Sequence, residues 1–325
     1  MDRRTLIAGV AASVALPWTQ ASRAASSEFP GSGLRFITST TPGAGMDLTA
    51  RLVADKLTAL YGKPVVVENR SGGNGILAVS AFKTTDDPNT FLVTDVGVAS
   101  VNPSLLRNLP YEPATDFVPV TDFFQTDFVF VTHQNGFSSM KALMDAVKAQ
   151  PYKFNFGAAS GGSGQRLSVE LFLSRSKLEM TFIPYKGNSE ALNALLGGQL
   201  DLVSIGLPPI KAHIDSGRLR ALAVTGNKRS QQMPKVPTVA EEAGLANFSE
   251  GSWVALFAKP ALQATHVARL QADIAKALST PELQAFFKAN DYSAGGQSGA
   301  TLGQLMKHDR AKYQALIKAA NITVD

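Results

Sequence analysis

The feature that most constrains the fold is an alternation of short apolar runs with segments of helical periodicity. Residues 34–38 and 65–68 are apolar runs typical of buried strands, whereas 48–60 carries apolar residues at helical spacing. The same alternation continues through residues 128–225. It predicts an α/β protein with mostly parallel sheets covered by helices. The chain of 325 residues is long enough for two sheets, each with its own core.

This pattern places individual strands and helices along the chain. In the first helix, Leu48, Leu52, Leu57 and Leu60 form the predicted buried stripe, and Gly62 the predicted end. The predicted strands are 34–38, 65–68, 91–94, 128–132, 153–157, 180–184, 200–205, 219–225 and 253–258. The further predicted helices are 76–82, 139–150, 165–174, 190–196, 209–216, 266–278, 281–289 and 302–319.

The first 24 residues have the layout of a secretory signal peptide. Arg3 and Arg4 form a charged start, residues 6–16 are apolar, and small residues around Arg23 offer a cleavage site after Ala24. The apolar run is too short to span a membrane, and no later stretch approaches that length. We therefore expect an exported, periplasmic protein, with the paired arginines leaving both Sec and Tat export open.

The chain contains no cysteine, which excludes disulfides, thiol catalysis, cysteine-bound metal and a lipoprotein anchor. The 31 basic and 26 acidic residues fall to 28 and 25 when residues 1–24 are removed, which leaves a net charge of +3. This balance is not typical of a protein that binds nucleic acid or a membrane surface. We expect neither as a partner.

Two glycine-rich loops each follow an apolar run and open a helical pattern. The first loop is residues 41–47 (TPGAGMD), and the second loop is residues 157–164 (GAASGGSG). A helix start offers unpaired N–H groups and the positive end of the helix dipole, so it favours an anion. Neither loop contains the lysine that a P-loop places on nucleotide phosphates, which favours a carboxylate as the anion. Together the loops predict a site that closes on one small carboxylate from two sides.

Each loop also has a purely structural interpretation. The first loop can be a tight turn in which Asp47 is the N-cap of the following helix. The second loop can be a flexible surface segment. However, a run of small residues between a strand and a helix favours close approach of a ligand to the backbone, and Ser160 and Ser163 add hydroxyl donors.

A third glycine-rich segment, residues 73–78, fits the G-x-G-x-x-A pattern of dinucleotide-binding turns. Asp95 follows at close to the spacing of a ribose-binding acid. However, residues 68–72 separate this segment from the preceding strand, where a Rossmann turn would follow at once. Export also removes the protein from the cytoplasmic nicotinamide pool. We therefore favour a structural turn or part of a cleft edge, and we expect no cofactor.

The sequence lacks recognisable catalytic constellations. It has no G-x-S-x-G or H-E-x-x-H motif, and its four histidines are scattered. We expect neither an enzyme nor a metal site. Asp201 begins an otherwise apolar strand, where it can orient the site or bind a ligand amine, or simply face solvent.

The length and the positions of the loops favour two domains after the signal peptide at residues 1–24. The tail after residue 253 holds one predicted strand followed by helices, and it most simply packs back onto the first domain. The predicted division is 25–126 plus 250–325 for a discontinuous domain 1, and 127–249 for domain 2.

Several short segments, each weak alone, occur in an order that is specific. They are PGAGMD (42–47), GKPVVVENR (62–70), NPSL (102–105), LPY (109–111), DFVPV (116–120), PYKG (184–187), LLGGQLD (195–201), GRLRALAVT (217–225) and VPTVAE (236–241). On these segments, the chain from about residue 34 onwards resembles the Bug family, the substrate-binding components of tripartite tricarboxylate transporters.

The resemblance implies a two-domain periplasmic binding protein of the type II-like flytrap kind, with the ligand cleft between the domains. It implies that both loops hold a ligand carboxylate through backbone N–H groups and ordered waters, and that Asp201 and Ser204 lie at the cleft. The expected ligand-binding residues are Thr40, Pro42, Gly43, Ala44, Gly45, Asp47, Ser160, Gly161, Gly162, Ser163, Gly164, Gln165, Asp201 and Ser204.

Two positions depart from the family pattern. Thr40 stands where members often carry an aromatic ring that would cover the ligand, so the resemblance implies a more open or more polar pocket. Arg166 stands where members often carry histidine. It can face the cleft and pair with a second carboxylate, or lie on the outer, solvated face of its helix, and we favour the solvated position.

These observations predict a receptor that captures a small organic carboxylate by closure of two domains, without chemistry. The implied partners are the ligand and two integral-membrane transporter subunits, and we expect a monomer. One alternative is an exported oxidoreductase that binds a nucleotide cofactor at residues 73–78. Another is a sensing protein that passes the ligand state to a membrane partner.

Overall fold

The fold consists of two mixed sheets joined by two chain crossovers. A computed structural model describes Phe29, residues 31–159 and residues 162–323 of the chain. The predicted signal peptide at residues 1–24 lies outside these residues, as do Ser160 and Gly161 of the second loop. We call the part built on each sheet a lobe.

The first lobe is built on a six-stranded sheet in the order β11-β4-β10-β3-β1-β2. Strands β1, β2 and β3 pair in parallel, whereas β10 and β11 pair with their neighbours in antiparallel fashion. Its strands are β1 (Leu34–Thr38), β2 (Val65–Asn69), β3 (Thr90–Asp95), β4 (Val118–Asp127), β10 (Gly251–Ala258) and β11 (Tyr292–Ala294). Apolar clusters pack on both faces of this sheet.

The second lobe is built on a five-stranded sheet in the order β7-β6-β8-β5-β9. Strand β6 pairs in parallel with β7 and β8, while β5 pairs in antiparallel fashion with β8 and β9. Its strands are β5 (Val129–His133), β6 (Asn155–Ala159), β7 (Thr181–Tyr185), β8 (Leu202–Ile205) and β9 (Leu219–Val224).

Helices cover both sheets, as the alternation of apolar runs predicts. They are α1 (Gly45–Tyr61), α2 (Ile76–Thr84), α3 (Asn102–Leu105), α4 (Pro113–Asp116), α5 (Met140–Ala149), α6 (Gly164–Ser176), α7 (Asn188–Leu196), α8 (Lys211–Asp215), α9 (Val239–Ala243), α10 (Ala264–Leu278), α11 (Pro281–Asn290) and α12 (Gly299–Ala319). A 3₁₀ turn, Gly73–Gly75, precedes α2, and a π-helical turn, Gly97–Val101, precedes α3. No helix in the described ranges combines the length and apolar character that a membrane span needs.

The prediction of an α/β fold with helices over two sheets is confirmed, but the prediction of mostly parallel sheets is wrong. Each sheet contains parallel and antiparallel pairs, because the strands that carry the chain between the lobes run against their neighbours. The sequence pattern also missed β4, whose polar Thr121 and Asp122 interrupt its apolar character.

The buried stripe of α1 agrees with the predicted leucines only in part, since Leu57 alone among them is fully buried. Leu48 is 40% exposed and Leu60 is 56% exposed, whereas Ala50 and Val53 are fully buried. Small residues on this face allow the helix to approach the sheet closely, and they pack in the same buried cluster as Leu57. Gly62 ends the helix in the left-handed conformation, as predicted.

The two crossovers between the lobes are hydrogen-bonded through Thr225. The first crossover passes through Phe128, whose N–H donates to the Thr225 hydroxyl at 2.8 Å. The second passes through Glu250, whose N–H donates to the Thr225 carbonyl at 2.9 Å. The Glu250 carboxylate is buried, pairs with Lys312 of α12 and accepts from the Tyr313 hydroxyl. The hinge region is therefore fixed to the last helix of the first lobe.

Candidate ligand-binding site

A cavity of about 300 Å³ lies between the lobes, and residues from both sheets line it. It sits at the carboxyl ends of the parallel strands β1, β3 and β6, which is where open α/β sheets bind ligands. From the first lobe, the lining residues are Ser39, Gly72, Asn74, Gly75, Asp95, Gly97, Val98 and Asn102, and from the second lobe they are Ala159, Gly162, Ser163 and Lys186.

The glycine-rich turn after β2 forms one wall of the cavity. Gly72, Gly73, Asn74 and Gly75 have φ angles of 121°, 55°, 53° and 84°. Four successive residues with positive φ explain the three glycines, because residues with a Cβ rarely adopt this conformation. A Cβ at Gly75 would also collide with the side chain of Val98. The G-x-G pattern here is therefore a left-handed turn at the cleft, as the sequence favoured, and not a strand-to-helix nucleotide turn.

Asn102 fixes this turn to the turn that follows β3. Its Nδ2 donates to the Asn74 carbonyl at 2.8 Å and approaches the Tyr111 hydroxyl at 2.9 Å. The Tyr111 hydroxyl in turn donates to the Val98 carbonyl at 2.9 Å. Asn102 is only 3% exposed, so this network is shielded from water. The wall of the first lobe is therefore preorganised.

Asp95 ends β3 and faces the cavity. Its Oδ1 accepts from the backbone N–H of Val98 at 3.3 Å. Burial raises the pKa of the Asp95 carboxyl above its ordinary value, while the N–H groups of Val98 and Gly97 act in the opposite direction. No basic side chain among the described residues forms an ion pair with it.

The second lobe contributes a helix start and a lysine. Ser163 is the N-cap of α6: its hydroxyl accepts from Arg166 N–H at 3.3 Å and donates to the Ala159 carbonyl at 3.2 Å. The N-terminus of this helix therefore points at the cavity with its positive dipole end. Lys186 follows β7 and adds a formal positive charge to the same wall.

Gly162 brings the second loop into contact with the first lobe. A Cβ at this position would lie 2.5 Å from Cδ2 of Leu105 and 2.7 Å from Cγ1 of Val101. Real carbon atoms do not approach so closely, so only glycine fits while the lobes are together. The two lobes are therefore in contact across the cleft at Gly162.

The predicted residues of the first loop follow Ser39 directly, outside the set that lines the cavity. Gly43 has a φ of 84°, Ala44 is the N-cap of α1, and Gly45 packs beneath the Tyr292 hydroxyl. Thr40 and Pro42 complete this loop. Its role in ligand binding stays a prediction.

Asp47 organises the first loop, but it is not the N-cap of α1 as its position suggested. Its Oδ2 accepts from Gly43 N–H at 2.8 Å, its Oδ1 accepts from Asn69 Nδ2 at 2.8 Å, and Arg51 pairs with it at 2.9 Å. Burial acts to raise the pKa of Asp47, but these hydrogen bonds outweigh it and hold the pKa below its usual value. Asn69 also donates to the Thr40 carbonyl at 3.2 Å, which ties the loop to the end of β2.

The second loop is only partly described. Gly162 and Ser163 line the cavity, Gly164 packs against the Phe128 ring at the first crossover, and Gln165 lies half-buried in the first turn of α6. The predicted contributions of Ser160 and Gly161 fall outside the described residues.

The structure places Asp201 away from the cavity, which corrects the expectation for that residue. Ser204 lies outside the set of residues that line the cavity, and its role in ligand binding stays a prediction. Asp201 and Asn155 exchange hydrogen bonds of 2.8 and 3.0 Å at the amino ends of β8 and β6. The cavity lies at the other end of β6, about 13 Å away at ~3.3 Å per residue. Ser204 is buried beneath α6, where its hydroxyl pairs with that of Ser168 at 2.6 Å. Asp201 therefore links the amino ends of β6 and β8, and Ser204 links β8 to α6.

Arg166 is not on a solvated face, so the favoured interpretation of this residue is wrong. The residue is 9% exposed, and its guanidinium lies 4.0 Å from the centre of the Phe182 ring. It also pairs with Glu170 at 3.4 Å and donates to the Thr323 carbonyl at 3.4 Å. The planar guanidinium stacks on an aromatic face, which stabilises a buried arginine. Arg166 therefore joins α6 to β7 and to the C-terminal segment.

Sequence reasoning missed Asn102, Asn69 and Lys186 as residues of the cleft region and treated Asp95 only as part of a nucleotide motif. A signal was available for three of them, because Asn69, Asp95 and Lys186 lie at or just beyond the ends of strands, where ligands bind. In the described ranges, no group of three or more histidine, aspartate or glutamate side chains is placed to hold a metal ion.

Comparisons of the sequence and of the structure with known proteins identify the same family. The family profile described as "Tripartite tricarboxylate transporter family receptor" matches residues 49–322. The protein BugT of Bordetella pertussis is 33% identical over 264 residues, which covers 80% of this chain and 81% of BugT.

Two solved structures share the whole fold. Rpa4515 of R. palustris with adipate is 28% identical with a TM-score of 0.81, over 91% of this chain and 99% of that chain. MatC of Rhodopseudomonas palustris with bound malate is 25% identical with a TM-score of 0.76, over 89% of this chain and 100% of that chain. The chain belongs to the receptor family of the tripartite tricarboxylate transporters, which includes the Bug solute-binding proteins.

Proposed function

We propose that this protein is a periplasmic solute-binding receptor that captures a small organic carboxylate in the cavity between its lobes. The observation that carries the proposal is that both lobes line one cavity at the carboxyl ends of their strands. Relatives of the same fold hold adipate and malate, both of which are small carboxylates. The family consists of substrate-binding receptors, so the exported oxidoreductase is not favoured.

The ligand carboxylate would bind to backbone N–H groups and to Lys186. The N-terminus of α6 lies at the cavity wall, where a helix start offers unpaired N–H groups and a positive dipole end. The start of α2 lies at the same cavity, but the N–H groups of Gly75 and Ile76 already donate to the preceding turn, so α2 contributes its dipole. Lys186 adds a full charge from the second lobe. Since these groups come from different lobes, the anion favours the closed arrangement over the open one.

We propose that both glycine-rich loops take part in binding the ligand. In the first loop, Asp47 and Asn69 fix the backbone, so that N–H groups can be presented to an anion or to a bridging water. In the second loop, Gly162 and Ser163 line the cavity, and the proposal extends to the neighbouring Ser160 and Gly161.

The domain division, export route and partners are part of the same proposal. Domain 1 would comprise residues 25–126 plus 250–325 and domain 2 residues 127–249, and the crossovers at Phe128 and Glu250 support these limits. We expect cleavage of a Sec or Tat signal after Ala24, no lipid anchor, a monomer, and delivery of ligand to two integral-membrane subunits. A sensing role would use the same cleft.

A thermal-shift screen tests the function. The purified protein, without its first 24 residues, is heated with mono-, di- and tricarboxylates, amino acids and aromatic acids, and with oxidised and reduced nicotinamide cofactors as the opposing set. We expect one group of carboxylates to raise the melting temperature and the cofactors to leave it unchanged. Stabilisation by a nicotinamide cofactor and by no carboxylate would overturn the proposal.

A further inference from the structure

Asp95 is an acidic side chain in a cavity that the proposed function assigns to an anion. It lines the same cavity as Lys186, Ser163 and Asn102. Two carboxylates that share a small cavity repel each other, and the repulsion is strong where water is excluded. Such an acidic residue opposes the binding of a simple carboxylate unless the ligand also supplies a hydrogen-bond donor to it.

Within the described ranges, Asp95 has backbone N–H donors but no cationic partner. Its carboxyl group accepts from backbone N–H groups, among them those of Gly97 and of Val98, the latter at 3.3 Å from Oδ1. The titratable groups that sense its charge include the phenols of Tyr111 and Tyr313, whose pKa values are raised, so both are uncharged at neutral pH. Among the described residues, no basic side chain forms an ion pair with Asp95.

The cavity therefore presents one acidic and one basic side chain among its described lining residues, Asp95 on the first lobe and Lys186 on the second. A ligand that matches both carries a carboxylate and, at a separate position, a hydrogen-bond donor. The volume of about 300 Å³ limits it to a small molecule.

We propose that Asp95 is a specificity-determining residue that selects carboxylates with a hydroxyl or ammonium substituent over the corresponding unsubstituted acids. The inference rests on the proposed function, because it assumes that the cavity is the carboxylate site. The donor of the ligand hydrogen-bonds to the Asp95 carboxylate and compensates for its burial. An unsubstituted acid leaves that carboxylate unpaired beside a second negative charge.

The test is titration calorimetry with matched sets of acids. Monocarboxylates of two to six carbons and dicarboxylates of three to six carbons are compared without a substituent, with an α-hydroxyl and with an α-amino group, so that succinate, malate and aspartate form one set. The proteins are the wild type, Asp95→Asn and the control Asp145→Asn. Asp145 is an exposed residue of α5 that pairs with Lys141, so the control makes the same charge change outside the cleft.

We expect the wild type and Asp145→Asn to bind a substituted acid at least about tenfold more tightly than its unsubstituted partner. In Asp95→Asn, this ratio should fall to near one, because the substituted acid binds more weakly and the unsubstituted acid more tightly. The amide oxygen can still accept from the N–H of Val98, so the fold should persist, and a thermal melt checks this.

The outcomes separate the inference from the proposed function. Carboxylate binding without a preference for substituted acids, or a preference that Asp95→Asn leaves unchanged, overturns the inference and leaves the receptor function intact. A wild type that binds none of the acids in these sets, nor any acid of the wider screen, overturns both.

Discussion

Gly162 provides the most direct test of closure, because a single methyl group at this position meets the opposite lobe. The added Cβ of Gly162→Ala would lie 2.5 Å from Leu105 and 2.7 Å from Val101. Carbon atoms in contact are separated by about 3.5–4.0 Å, so the lobes must move apart by roughly 1 Å or the side chains must shift.

This cost falls on the closed form alone, because the contact crosses between lobes. Overpacking of this kind costs about 1–3 kcal/mol, and a penalty of that size weakens binding about 5- to 150-fold. The stability of the ligand-free protein should change little if its lobes are apart in solution. Titration calorimetry with the best acid from the screen measures the affinity, and small-angle scattering with and without that acid measures closure.

Gly303→Ala serves as the matched control for this experiment. Its Cβ would meet only Pro119 at 3.7 Å, an ordinary contact within the first lobe. Alanine is about 1 kcal/mol more favourable than glycine inside a helix, so this variant should be slightly more stable and bind normally. If Gly162→Ala bound within twofold of the wild type and closed as fully, the contact with Leu105 and Val101 would not belong to the ligand-bound form, and the reasoning would be refuted.

Three further predictions concern other parts of the cleft. Asp47→Asn should lower the free energy of unfolding by about 1–2 kcal/mol at pH 7. Because folding lowers the pKa of Asp47, its stabilisation is present above the unfolded pKa of about 3.9 and is lost as the pH falls through the folded pKa. Urea titrations should therefore show the stability difference between wild type and variant shrinking towards pH 3. A difference that stays constant would contradict the assignment. Lys186→Met should weaken the binding of every acid about tenfold without changing the order of affinities, and the loss should be smaller at high salt. If calorimetry showed weaker binding of one acid alone, Lys186 would not be a general partner of the ligand carboxylate. Gly75→Ala should destabilise the protein by about 2–4 kcal/mol in chemical denaturation, since its φ is 84° and its Cβ would collide with Val98; a loss below 1 kcal/mol would show that the turn can relax.

The sequence predicted the alternation of strands and helices well, because buried strands and amphipathic helices leave periodic patterns. The prediction of strands failed where polar residues are buried because their hydrogen-bond partners are distant in the sequence. Thr121 and Asp122 are polar yet buried in β4, because Asp122 accepts hydrogen bonds from Gly296 and Gln297 near the C-terminal helices. Such long-range partners leave no local signal.

The candidate site was predicted in part. The strand-to-helix position of the second loop predicted Gly162 and Ser163 as ligand-binding residues, because small residues at a helix start imply a close approach, and both line the cavity between the lobes. The turn at Gly75 was weighed as a nucleotide motif because a sequence pattern does not reveal the sign of φ. The usual behaviour of arginine places Arg166 in solvent, whereas its actual position over Phe182 depends on a strand that follows it in the sequence.

In the proposed receptor, the two crossovers that meet at Thr225 would affect which bound acids are delivered. Two chain segments bonded side by side leave the lobes little freedom beyond rotation about the line that joins them. With such a hinge, the angle between the lobes would depend on the length of the bound acid, since a longer molecule would hold the lobes further apart. A membrane subunit that accepts only one angle would then reject acids that the receptor binds well. The ligand would then be selected twice, first by its affinity for the cavity and then by the angle at which the hinge holds the two lobes.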